Sequence, residues 1–187
     1  HRPPIEGIPK VVYAGRFVYE KGIDVLLIAF AEVKERVGEA ELMIAGQGVE
    51  EQNLKALAEE LGVQKSVQWL GHITTQELEQ HFDNAWVQVV PSLWAEPFGN
   101  VTTEAMMRGT AVIARAMGAQ PEIVIDGDTG FLVPPGDVAA LADALFNLLS
   151  NRQLAEEMGQ AGRKRAIEEF SEERRTQNFL DIYQEII

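Results

Sequence analysis

Lys10-Val-Val-Tyr-Ala-Gly15-Arg-Phe-Val-Tyr-Glu-Lys21-Gly22-Ile23 sets a short apolar run, closed by glycine, in front of a helical pattern. From Ile23 to Val37 the apolar residues fall at 23, 26, 27, 30, 33 and 37, the spacing of one helix face. Together they predict a strand-loop-helix unit, and outward from it the unit repeats. Glu41–Gly46 precedes a helix near 50–61, and Ser66–Gly71 precedes one at about 75–85, where Thr74 and Glu77 have capping-box spacing. Trp86–Pro91 feeds a helix around 100–108, in which Ala105, Met106 and Gly109 can pack inward. Ala111–Ala114 leads to a short helix near 120–125. After the turn cluster Asp126-Gly-Asp-Thr-Gly130 comes a sixth strand, Phe131–Pro134, and Asp137 caps a helix carrying Leu141, Leu145 and Leu148. The tail from about 152 reads as helical, with breaks expected near Gly159–Gly162 and at Ser171.

Strands alternating with amphipathic helices imply βαβ crossovers, and so an α/β domain with a six-stranded parallel sheet covered by helices on both faces. Such sheets bind ligands beyond the carboxyl ends of their strands. At 187 residues the chain is most simply one domain. Its net charge of −13 disfavours broad binding to nucleic acid or anionic membrane, so any phosphate must be held by local groups. The absence of cysteine excludes disulfides and thiolate metal sites and is compatible with a reducing cytoplasm. No apolar run approaches a membrane span and no signal peptide is present. The start at His1-Arg-Pro-Pro, close to the first strand, suggests a piece of a longer chain.

The residues with chemistry to offer follow the strands. Arg16 and Lys21 share one loop and can neutralise a diphosphate through charge-assisted hydrogen bonds; the alternative is that Arg16 pairs with Glu20 or another acid while Lys21 is solvated. Gly46-Gln47-Gly48 lacks the third glycine of a dinucleotide fingerprint and serves either a tight turn or close backbone approach to a base or phosphate. In Pro91-Ser-Leu-Trp-Ala-Glu96-Pro-Phe98-Gly99-Asn100-Val101-Thr-Thr-Glu104, a strand-loop-helix turn points backbone N–H groups at an anion, and two carboxylates flank it. Ionised carboxylates only accept hydrogen bonds, so Glu96 and Glu104 suit the hydroxyls of a sugar attached to a nucleoside phosphate. Complementing a helix dipole is the competing role, and it accounts for one glutamate. His72 lies at a strand end, no histidine pair has metal-ligand spacing, and Ser92 lacks the setting of a hydrolase nucleophile. Trp69, Trp86, Met106 and Met107 read as core.

These motifs, taken together, closely resemble the C-terminal domain of glycosyltransferase family 4, retaining enzymes of the GT-B fold. The resemblance runs nearly end to end: Gly15-Arg-Phe with Lys21-Gly22, Gly46-Gln-Gly48, Val67-Gln-Trp-Leu-Gly71, Glu96-Pro-Phe-Gly-Asn with Glu104-Ala105, Glu122, Thr129-Gly-Phe-Leu-Val and Pro135-Gly-Asp-Val. It implies one Rossmann-like half of a two-domain enzyme, residues 1–187 forming the nucleotide-sugar-binding domain and 152–187 a helical tail packing toward an N-terminal acceptor-binding domain, with Phe179 and Tyr183 as contacts. It further implies a UDP-, GDP- or ADP-sugar donor, no metal or other cofactor, and no nucleic-acid partner. Arg16 and Lys21 would hold the diphosphate, supported by the backbone of Gly99, Asn100 and Val101 beside Phe98. Glu104 would bind the ribose and Glu96 the transferred sugar. Gly15 would sit at the phosphates, while Gly46 to Gly48 and Leu70 to His72 would frame the base. Glu96, Arg16 and Lys21 are the expected catalytic groups. The expected location is cytoplasmic, with the whole enzyme at the inner face of a membrane through some other part. Two departures stand out: Thr110-Ala111 where the family has proline, and Gly118-Ala119 where it often has Gly-Gly. A GT-B-type nucleotide-sugar epimerase domain and a non-enzymatic nucleotide-binding module remain the alternatives.

Overall fold

The computed structural model describes residues 4–95 and 97–171, together with 174, 176, 180 and 183. Among them lie strands β1 Lys10–Ala14, β2 Glu41–Ala45, β3 Val67–Gly71, β4 Val87–Val90, β5 Ala111–Arg115 and β6 Gly130–Val133. The helices are α1 Ile23–Val37, α2 Glu51–Glu60, α3 Thr75–Phe82, α4 Asn100–Arg108, α5 Gln120–Ile123, α6 Val138–Leu149 and α7 Arg152–Phe170. The strands form one parallel sheet in the order β3-β2-β1-β4-β5-β6. The chain lays β2 and β3 on one side of β1, then returns to place β4 on the other side, pairing Val11 with Val87 and Val12 with Gln88. The winding direction reverses between β1 and β4, where an open α/β sheet leaves a crevice.

Successive strand residues point to opposite faces, and both faces are covered, which is why the strands read as continuous apolar runs. Val11, Tyr13, Leu42, Ile44, Val87, Val89 and Ile113 share one core with Leu26 and Phe30 of α1 and Leu141 and Leu145 of α6. On the other face Val112 and Ala114 meet Ala105 and Met106 of α4 and Ala166 of α7, while Val12, Met43 and Ala45 meet Phe82 of α3. Each large apolar side chain so buried contributes about 1.5–3 kcal/mol. The caps form as the spacing predicts: Thr74 and Glu77 make a reciprocal capping box on α3, and Asp137 accepts from the Ala140 amide at 2.9 Å.

The break expected near Gly159–Gly162 does not occur: α7 runs unbroken from Arg152 to Phe170. Both glycines are buried. A side chain at Gly159 would collide with the Gly109 carbonyl, and one at Gly162 would come within 3.4 Å of the Thr129 carbonyl. They bring α7 close to α4 and the sheet, which outweighs the roughly 1 kcal/mol each costs in helix propensity. Arg163 donates to the Met107 carbonyl, and Arg165 donates to those of Ile123 and Glu122 at 2.9 and 2.8 Å, satisfying carbonyls at the ends of α4 and α5. The first part of the helical tail thus lies against its own domain. Ser171 is extended and ends α7 where a break was expected. Tyr183 is exposed, whereas Phe179 and most of the chain beyond Ser171 fall outside the described residues. No helix among the described residues is long and apolar enough to cross a membrane.

Candidate functional site

The crevice between β1 and β4 opens into a cavity of about 180 Å³ whose lining includes Gly15, Arg16, Lys21, Pro91, Ser92 and Val101. A second cavity of about 540 Å³ shares Ala14, Gly15 and Arg16 with the first and continues to Gly46, Gln47, Gly48 and His72. Arg16 thus stands where the two meet. Its side chain is exposed and makes no ion pair with Glu20 or any other described acid, so the pairing alternative is not realised. Lys21, half buried, lines the smaller cavity from the other end of the same loop.

That loop is fixed by contacts across the sheet. Tyr19–Lys21 forms a 3-10 turn ended by Gly22 at φ 62°, and any side chain at 22 would strike the Pro91 carbonyl. The Leu93 amide and the Ser92 hydroxyl both donate to the Glu20 carbonyl, at 2.7 and 3.2 Å. Ser92 therefore anchors the lysine-bearing turn. Gly46, at φ 136°, and Gly48 lie so close to the carbonyls of Gly15 and Phe17 that neither position has room for a Cβ. The Gly15 amide donates to the Ala45 carbonyl at 3.0 Å and the Phe17 amide to that of Gln47 at 2.9 Å. The glycines are required by this loop-on-loop contact, and the same residues line the larger cavity.

Helix α4 begins at the smaller cavity. Its N-cap, Gly99, offers no side-chain acceptor and its first turn contains no acid; the first intrahelical bond runs from the Thr103 amide to the Gly99 carbonyl at 2.9 Å. The amides ahead of Thr103 have no intrahelical acceptor, which favours an anion there. Gln88, buried in the middle of β4, holds this end of the helix in place. Its Nε2 donates to the Val101 carbonyl at 3.1 Å, and its Oε1 accepts from Arg108 at 2.5 Å, Arg108 being paired in turn with Glu79 at 2.7 Å. Glu104 falls beyond the first turn, is exposed, and has no hydrogen bond or ion pair among the described residues. At that position it lies past the first turn, where the helix dipole acts most strongly.

Other expected site residues lie further off. Leu70 packs against the α3-side core and lines neither cavity. Phe98 is 48% exposed and meets Phe170 edge to face at 6.5 Å, outside both cavities. Asn100 is exposed at the start of α4, and Glu96 lies outside the described residues. No group of three or more histidines or carboxylates among the described residues is arranged to hold a metal ion.

Among the buried polar residues that the sequence did not single out are Arg115 and Gln120. Arg115, 1% exposed at the end of β5, donates to the carbonyls of Pro91 at 3.3 Å, Pro134 at 2.5 Å and Asp137 at 3.4 Å. Burial pushes its pKa down, against the opposing pull of Asp137 and Asp24. Gln120 is 3% exposed and accepts from the Thr102 hydroxyl at 2.8 Å. The available signal was a polar residue directly continuing, or directly preceding, an apolar segment.

A profile of the family described as Glycosyl transferases group 1 matches residues 3–165. The chain is 38% identical over 165 residues to a phosphatidyl-myo-inositol mannosyltransferase of Mycobacterium leprae, covering 86% of this chain and 43% of that protein. Its fold superposes on sucrose-phosphate synthase from Thermosynechococcus elongatus with a TM-score of 0.86 at 35% identity, covering 96% of this chain and 45% of the other. A separately solved C-terminal domain of a group 1 glycosyl transferase from Francisella tularensis matches with a TM-score of 0.81 at 25% identity, covering 88% of this chain and 89% of that domain. The chain thus spans less than half the length of the first two proteins and nearly all of the third.

Proposed function

The chain belongs to the group 1 glycosyl transferases, and from that premise we propose that it is the donor-binding domain of a retaining glycosyltransferase that moves a hexosyl group from a nucleoside-diphosphate sugar to an acceptor. The observation that carries this reading is the convergence of two cations, Arg16 and Lys21, with the start of α4 on one cavity at the β1/β4 crevice. In an acidic protein, that local set supplies what a diphosphate needs. Glu104, unengaged and exposed, suits the ribose hydroxyls, and Glu96 suits those of the transferred sugar. The larger cavity beside Gly46–Gly48 and His72 takes the base.

Transfer with retention has the acceptor approach the sugar face from which the diphosphate departs, with a leaving-phosphate oxygen taking the acceptor proton. The chain's contribution is to stabilise negative charge as the glycosidic oxygen leaves, through Arg16, Lys21 and the α4 amides. The acceptor site belongs to a second domain on the far side of the cleft. The segment beyond Ser171, with Phe179 and Tyr183, is the part proposed to meet it.

Calorimetry with UDP, GDP, ADP and their hexose conjugates tests the donor assignment. Arg16→Ala and Lys21→Ala should each weaken diphosphate binding by about tenfold or more, as expected for loss of a charge-assisted hydrogen bond. Glu104→Ala should weaken nucleosides more than inorganic diphosphate. Equal binding by wild type and all three variants would sink the reading.

A further inference from the structure

We propose that Gln120 is a further donor-binding residue, whose side-chain Nε2 donates a hydrogen bond to an oxygen of the ligand seated at the start of α4. The inference rests on the reading of this crevice as a nucleotide-sugar site. Gln120 follows a turn at Gly118, φ 59°, and opens the short helix α5. Its carboxamide is held at one end, where Oε1 accepts from the Thr102 hydroxyl in the first turn of α4 at 2.8 Å. The other end faces Gly99, the N-cap of α4: a Cβ built on Gly99 would lie 2.8 Å from Nε2. Because residue 99 has no side chain, Nε2 can pack closely against the backbone of the helix start.

Nε2 is buried and has no acceptor among the described residues. A buried N–H without a partner carries an uncompensated desolvation penalty, so it calls for an explanation. Among the described residues, buried nitrogens of Trp86, Arg108 and Arg115 share this condition, but of these four groups Nε2 of Gln120 is the one set against a helix start that lacks a cap and an acid in its first turn. The helix amides and Nε2 are all donors, and the acceptor they suit is an oxygen-rich anion. In a nucleotide sugar that oxygen belongs either to the diphosphate or to a hydroxyl of the hexose. Gln120 adds directional recognition without charge, unlike Arg16 and Lys21, so its contribution persists at high salt.

The test is calorimetry on the 187-residue chain with UMP, UDP and UDP-glucose, and with the guanosine and adenosine series, at low and high salt. Gln120→Leu should lose about tenfold in affinity for the diphosphates and sugar conjugates, equally at both salt concentrations, with monophosphate binding retained. Thr102→Val, which removes the Thr102–Gln120 bond but leaves Nε2, should lose less. A loss shared by UDP and UDP-glucose assigns the oxygen to the phosphate, and one confined to UDP-glucose assigns it to the sugar. Unchanged affinities in Gln120→Leu, or an equal loss for UMP, overturn the proposal. Wild type that binds nucleotide, is weakened by Arg16→Ala and is indifferent to Gln120→Leu defeats this inference alone; wild type that binds none defeats the nucleotide reading as well. Should Gln120→Leu not fold, the side-chain amide resonances of Gln120 in the wild type, assigned by their absence in Gln120→Met, must shift on addition of UDP or UDP-glucose; no shift with either refutes the assignment.

Discussion

Arg115 carries its charge where water does not reach, and what keeps it there is a set of backbone carbonyls. It ties Pro91, at the edge of the smaller cavity, to Pro134 and Asp137 on the loop before α6. Truncation would take this donor from the Pro91 carbonyl, while those of Pro134 and Asp137 keep the amides of Asp137 and Leu141 at 3.3 and 3.2 Å; a buried acceptor that loses a partner costs about 1–3 kcal/mol. Arg115→Ala is therefore expected to lower the unfolding free energy by about 3 kcal/mol in urea denaturation, a larger effect than any surface arginine should show. Arg16 offers the contrast, being exposed and bound to no described acid; Arg16→Ala should leave stability within about 0.5 kcal/mol while weakening ligand binding. From the sequence both were arginines at the end of an apolar strand. Arg16 could be singled out as the proposed ligand group because it follows a glycine on a loop. The burial of Arg115 was not legible, because it depends on the Pro91 segment and the loop before α6 meeting at the end of β5.

At the scale of elements, the contact between α7 and α4 is decided by small residues. Gly159→Ala gains helix propensity of about 1 kcal/mol but drives a methyl into the Gly109 backbone, which cannot rotate away. Overpacking of that kind costs about 1–3 kcal/mol or more, so Gly159→Ala should lower the denaturation midpoint. Gly162→Ala meets only a 3.4 Å contact and should be neutral, or more stable by up to about 1 kcal/mol. Helix α3 yields a pH prediction. Hydrogen bonds from the Thr74 amide and then its hydroxyl hold the Glu77 carboxyl below its ordinary pKa of 4.5. A depressed folded-state pKa means the carboxylate stabilises the cap above pH 4.5 and loses that contribution as pH falls through the folded value. Glu77→Gln does not titrate, so the stability advantage of wild type over Glu77→Gln should shrink as pH drops below 4.5, read from urea midpoints. The capping box was readable because its two residues are neighbours in sequence. The continuity of α7 was not, since glycine is a helix breaker by local propensity and only the surface of α4 makes its smallness useful.

For the whole molecule, the sheet order makes the site. Incubated with a nucleotide sugar and an alcohol acceptor, the 187-residue chain should bind the donor and form no glycoside above the buffer rate, whereas joining it to an acceptor-binding domain should produce transfer detectable by mass spectrometry. Turnover by the chain alone would refute the division of labour proposed here. Periodicity and turn chemistry act over a few residues, and for that reason the sequence by itself determined the alternation of strands and helices, the parallel class of the sheet and the presence of charged groups after the strands. It also singled out Arg16, Lys21, Gly46–Gly48 and the turn before α4 as the residues proposed for one site. Which strands lie side by side depends on burial between segments far apart in the chain, which no local pattern encodes. Only the tertiary structure decided that β4 returns to flank β1, bringing the start of α4 to the loop of Arg16 and Lys21. It alone turned Arg115 and Gln120 inward, because their surroundings are assembled from loops that meet only once the sheet is wound.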